Sequence, residues 1–197
     1  QGEVVMSFRT PLTVLAAPLA LAICCEPGAV AVWGQEQPTA SPDQQVLEFD
    51  TPEIEGTIRL DGAYHGVTRL VDKRSGRQVI DPRYSALNLF KLMSVNLMMG
   101  QPRQMERTVQ IGPDWAEIRW PKTDMHRGEV VARYEVRPHG AVDLIVTVRS
   151  EGTYPAYETF LSSYFDKTLQ PHVYLKTRDG KSSDLVLPMA NDVFRGT

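Results

Sequence analysis

The sequence predicts an all-β protein, an antiparallel β-sandwich, on three observations. Apolar residues recur with a period of two along most of the chain, turn residues punctuate them at regular spacing, and only one stretch breaks the pattern. The clearest strand covers 130–136, where Val130, Ala132, Tyr134 and Val136 alternate with Val131, Arg133, Glu135 and Arg137. Successive side chains point to opposite faces of a strand, so this one buries an apolar face and leaves the other mixed. Pro138-His139-Gly140 predicts a turn. Val142, Leu144, Val146 and Val148 then alternate with Asp143, Thr147 and Arg149 and return as an antiparallel hairpin.

A second hairpin is predicted from residues 108–111, a Gly112-Pro113-Asp114 turn, and Ala116, Ile118 and Trp120 alternating with Glu117 and Arg119. Residues 53–60 and 66–72 predict a third, turning at Asp61-Gly62. Residues 85–99 are the exception: Leu87, Leu89, Phe90, Leu92, Met93, Leu97 and Met98 fit neither period, and a short helix and a buried strand pair both stay open. Many regularly spaced strands with a single doubtful helix describe a sandwich.

The N-terminus predicts export. Arg9 supplies a positive n-region, residues 11–25 are apolar, and Ala29-Val30-Ala31 gives the small-x-small spacing of a cleavage site, so residues 6–31 read as a secretory signal within a 1–34 signal region. The apolar run is too short to span a bilayer comfortably, and no stable membrane span is expected after cleavage. Lipoprotein anchoring at Cys24 is the less favoured alternative, because Ile23 is too large for the residue before an acylated cysteine. Residues 1–5 precede Met6, a candidate initiator, and it stays open whether they are protein or upstream sequence. Residues 35–45 are rich in Gln, Pro and Ser and predict a flexible leader. One β-sandwich domain is then expected over 46–197, about 150 residues and enough to bury a core. Periplasmic or extracellular localisation follows.

Composition excludes several chemistries. The net charge of −3 provides no basic field for phosphate backbones, so no nucleic-acid partner is expected. Both cysteines, Cys24 and Cys25, fall in the signal region, which leaves the folded part without a thiol. There is no Gly-rich phosphate loop, no His-Glu-x-x-His and no Gly-x-Ser-x-Gly, and no cofactor or metal is expected.

Four histidines are the candidates for proton or ligand chemistry: His65, His126, His139 and His172. His65 and His139 fall in turns and read as structural and solvated. Asp124-Met125-His126 sets a carboxylate and an imidazole on one side of an extended segment, which is too few ligands for a cation and reads as a surface loop. Sugars are bound by stacking on flat rings beside polar groups, so the aromatic residues Trp115, Trp120, Tyr154, Tyr157, Tyr164, Phe165 and Tyr174 are the more suggestive set. Most of them are accounted for by core or cross-strand packing.

The strand 142–148, the charged turn Arg149-Ser150-Glu151-Gly152 and the segment Phe160-Leu161-Ser162-Ser163-Tyr164-Phe165-Asp166 resemble the galactose mutarotase-like family, the aldose 1-epimerase-type supersandwich, over residues 141–169. The resemblance implies a supersandwich-like fold and a carbohydrate ligand. In the epimerases of that family the motif's histidine is implied to protonate the ring oxygen, and a late glutamate to act as base. Here Ser162 stands in the histidine's place, and a serine hydroxyl is no general acid near neutral pH. The sequence ends before the position of the glutamate, which leaves open that the chain is a fragment, truncated at its C-terminus.

The expectation is therefore a secreted carbohydrate-interacting protein that does not catalyse a reaction. Trp120, Ser162, Tyr164 and Asp166 are placed near a cleft, with His126 or His172 at its rim. Two alternatives stand beside it: a carbohydrate-active enzyme (epimerase, lyase or hydrolase) with catalytic residues in missing C-terminal sequence, and a structural envelope or interaction domain.

Overall fold

The computed structural model describes residues 2–9, 45–176 and 183–186. The apolar run at 11–25, the cleavage site at 29–31, the leader up to residue 44 and the terminal residues 191–197 lie outside the described residues. Those described form β1 (Gly2–Arg9), β2 (Val46–Asp50), β3 (Ile54–Arg59), β4 (Gly66–Asp72), β5 (Arg77–Gln78), β6 (Asn88–Ser94), β7 (Leu97–Gly100), β8 (Thr108–Ile111), β9 (Trp115–Trp120), β10 (Gly128–Arg137), β11 (Ala141–Ser150), β12 (Tyr157–Ser162), β13 (Val173–Lys176) and β14 (Ser183–Val186). Among the described residues there is no α-helix, only 3-10 turns at Pro102–Gln104 and Lys167–Leu169.

All the strand pairs are antiparallel, in sheets ordered β1-β11-β10-β9-β8, β2-β3-β4-β5, β12-β6-β7 and β13-β14. The all-β, sandwich-like architecture expected from the sequence is thus what the chain adopts. The three predicted hairpins form as β10–β11, β8–β9 and β3–β4. The ambiguous stretch is a strand pair: β6 and β7 join through Val95 and Asn96, both at positive φ, so that Ser94 opposes Leu97. Its mixed periodicity has a physical cause on each side of β6. Both registers shift by a bulge, and a bulge interrupts the alternation of faces.

Three sheets share one core. Ile118, Ala132, Leu144 and Val146 come from the large sheet, Leu47, Ile54 and Ile58 from β2–β3, and Leu89, Leu92 and Met99 from β6–β7. The other face of the large sheet is a lattice of charge: Arg119 bridges Glu129 at 2.7 Å and Glu117 at 2.9 Å, and Arg137 bridges Asp143 at 2.9 Å. Arg133 lies 3.9 Å over the Trp115 ring, which accounts for that aromatic residue as cross-strand packing.

Candidate ligand-binding surface

Three loops converge at one end of the sandwich. Gly66 begins β4 at φ 109, and a Cβ there would stand 2.5 Å from the Ala86 carbonyl, so only glycine lets the 62–66 turn lie this close to the 85–87 segment. Val67 and Ala86 exchange backbone bonds of 3.0 and 2.8 Å, and Ser85 Oγ donates to the His65 carbonyl at 2.9 Å. The segment after β12 closes over both loops: Tyr164 N donates to Ser85 O at 3.1 Å, Asp81 N to Tyr164 O at 3.0 Å and Asp166 N to Val79 O at 2.9 Å. Leu87, at φ 56, is held from both sides, its carbonyl accepting from Tyr134 Oη at 2.9 Å and its N–H donating to Ser163 Oγ at 3.0 Å. Two such bonds over-determine a conformation that L-residues disfavour.

The convergence assembles a cluster of tyrosines. Tyr84 and Tyr164 stack at a tilt with centroids 4.6 Å apart, and Tyr64 meets both edge-on, at 5.1 and 6.2 Å. Tyr164 is exposed, while Tyr64 and Tyr84 are half-buried. Beside the rings, Arg83 grips Asp81 with two bonds of 2.8 and 3.1 Å and lies 5.2 Å over Tyr84. The guanidinium and backbone N–H of Arg83 hold the Asp81 carboxyl down at about 2, so it stays ionised at any ordinary pH. The arrangement offers flat ring faces, fixed acceptors and a fixed cation, with no free nucleophile among them.

Of the residues expected at a site, only Tyr164 and Asp166 belong to this surface. Asp166 caps the following turn, accepting from Thr168 N at 2.8 Å and Thr168 Oγ1 at 2.6 Å, and these bonds, the side-chain one first, lower its pKa. Ser162 is turned inward: its Oγ is buried, finds no protein partner among the described residues, and sits in register opposite Asn88. Trp120 is not at a cleft. It is fully buried and donates Nε1–H to the Pro102 carbonyl at 2.9 Å, because its strand turns it to the core face with Ile118.

Nor is His126 at a rim. Its side chain is fully buried, Nδ1 donates to the Gly128 carbonyl at 2.9 Å and Nε2 accordingly accepts from Tyr157 Oη at 3.0 Å. Burial lowers its pKa, and the ring serves as a wedge stacked on Tyr154. Asp124 beside it is exposed, and no group of three metal-ligating side chains occurs among the described residues. His172 is exposed, as is His139 in its hairpin turn. The side chain of Tyr174 lies outside the described residues.

The fold and this surface define a class: an all-β, antiparallel, sandwich-like protein carrying a clustered aromatic patch. Comparison of the chain with protein-family models, with curated proteins and with solved structures finds no match. Tyr64 and Tyr84 were not among the residues expected from sequence at a site. The signal that finds them is an aromatic residue inside a turn, in Gly62-Ala63-Tyr64-His65-Gly66 and Asp81-Pro82-Arg83-Tyr84, where no core-facing period explains it.

Proposed function

We propose that the chain is an exported carbohydrate-interacting protein of mutarotase-like build that binds its ligand without transforming it. A sugar lies against the Tyr84–Tyr164 pair. The observation that supports this is the three-tyrosine cluster flanked by an ionised Asp81 and its Arg83 partner. Pyranose C–H faces stack on such rings, and a carboxylate and a guanidinium bond the hydroxyls. The resemblance over residues 141–169 supports the same ligand class. A binding rather than catalytic role is supported by His65 and His126, which are buried with lowered pKa values and so are poor proton donors.

Thermal denaturation of the full chain against a panel of mono- and oligosaccharides tests the reading, since a ligand that binds only the folded state raises the melting temperature. At least one sugar is expected to raise it. Tyr84→Ala and Tyr164→Ala are each expected to weaken that binding about tenfold, the loss of one stacked ring. The unliganded melt is expected to fall more for the half-buried Tyr84, which also packs on Tyr64 and Arg83, than for the exposed Tyr164. Polarimetry on α-glucose and α-galactose is expected to follow the buffer rate; faster mutarotation establishes the enzyme alternative. A panel without any shift leaves the interaction-domain reading standing and overturns this one.

A further inference from the structure

The outer edge of β11 carries a strand that the sequence marks for removal. β1 lies antiparallel on it from Gly2 opposite Ser150 to Arg9 opposite Asp143. Those residues open the region expected to be cleaved on export, so exposure of the β11 edge rests on the export reading. Without β1, β11 is paired only with β10, and its other row of N–H and C=O groups becomes an open edge. The centre of that edge, Leu144-Ile145-Val146-Thr147-Val148, holds no Pro, Gly or charge of the kind that blunts natural edges.

β11 also matches the residue pattern of the strand that covers it. In β1 an acid, Glu3, precedes a base, Arg9, by six positions with an uncharged run between them, and in β11 Asp143 precedes Arg149 by the same six. The β1 register sets Glu3 against Arg149 and Arg9 against Asp143, an acid against a base at each end. An antiparallel pairing of β11 with the β11 of a second copy, centred on Val146, repeats this twice, with Asp143 opposite Arg149 of the second copy and the reverse. Directly opposed residues share a face of the sheet, so Leu144 meets Val148 on the core side of both copies.

We infer that a second copy of this chain takes the β11 edge once the leader is gone. β11 pairs with β11 about a two-fold axis at Val146, and the sheet runs β8-β9-β10-β11 and back out through the copy. Such an interface is isologous and closes at a dimer. Opposite charges directly across a strand pair favour it, and like charges disfavour it.

The full chain, produced through a secreting host, is collected, its N-terminus fixed by mass spectrometry and its solution mass measured by sedimentation over a concentration series. The expected result is a processed chain that is dimeric. Arg149→Glu sets Glu against Asp143 of the copy at both ends and is expected to weaken the dimer about tenfold or more. It also gives up the 3.5 Å pair with Glu129 of β10, so Arg149→Ala, which loses that pair without opposing Asp143 by a like charge, is measured beside it and is expected to weaken the dimer less. A processed chain that stays monomeric at high micromolar concentration, or a dimer indifferent to Arg149→Glu, overturns the inference. A chain that keeps its first residues after export overturns it as well, and the N-terminal mass identifies that outcome as a failure of the export reading rather than of strand pairing.

Discussion

His65 illustrates how a turn residue becomes a stability element. The ring is fully buried, its centroid 5.3 Å from that of Trp120, and Nδ1 lies 3.5 Å from the guanidinium of Arg107, which has only protons to give. Desolvation first, and the Arg107 charge second, push its pKa down from 6.5 to about 3. The unfolded chain therefore binds a proton on His65 that the folded chain refuses, so folding is fully favoured above about 6.5 and loses stability as pH falls from there toward about 3. Each unit within that window is worth about 1.4 kcal/mol, so urea titrations at pH 7 and pH 5 are expected to differ by about 2 kcal/mol from this group. His126, shifted the same way, steepens the slope. His65→Gln is expected to flatten the dependence, and an unchanged slope in that variant would falsify the assignment. The glycine-flanked turn and a structural histidine were legible in the sequence. The burial was not, because it depends on Gly66 admitting the Ala86 carbonyl from a segment distant along the chain.

Among the elements, the β6–β7 hairpin turns on the least suitable residue. A two-residue link between Ser94 and Leu97 with positive φ at both centres is the type I′ geometry, which favours Asn and Gly. Asn96 suits it at φ 63, but Val95 is β-branched, 61% exposed and held at φ 49. A β-branched residue there costs about 1–3 kcal/mol, and no buried contact is lost on replacing it. Val95→Asn is accordingly expected to stabilise the protein by about 1 kcal/mol, a rise of about 2–4 °C in melting temperature for a domain of this size. A lower melting temperature contradicts the strain. This hairpin is also where the sequence was least readable: bulges on both sides of β6 scrambled the period, and a turn reading Val95-Asn96 carries no Gly or Pro signal. β10–β11 and β8–β9, whose registers run without a shift and whose turns hold Gly and Pro, were legible nearly to the residue. At the candidate surface Tyr164 was legible and its two ring partners were not, since only the closure of residues 163–166 over 79–85 brings the three together.

For the molecule as a whole, the decisive feature is that three sheets bury their apolar faces in one core. Leu144 on β11 and Ile58 on β3 are both fully buried in it, although their strands belong to different sheets. If each sheet were an independent unit, removing side chains from one would leave the melting of the other in place. A shared core predicts otherwise, because Leu144 and Ile58 belong to one buried cluster built from both sheets, and a cavity in it removes packing that both rely on. Leu144→Ala and Ile58→Ala are each expected to cost about 2–5 kcal/mol. Each should lower the midpoint of a single transition that far-ultraviolet and near-ultraviolet circular dichroism report at the same denaturant concentration. Two separable transitions, one moved by each variant, would show that the sheets fold apart and that the tyrosine surface, which joins loops of β4, β6 and β12, is held by local bonds alone. A single transition ties that surface to the core: Tyr134, buried in the large sheet, donates to Leu87 behind the rings, so a loss of packing at Leu144 loosens the loops that present them. The sugar affinity of Leu144→Ala is then expected to fall together with its stability as temperature approaches the midpoint, whereas Tyr164→Ala loses affinity at every temperature.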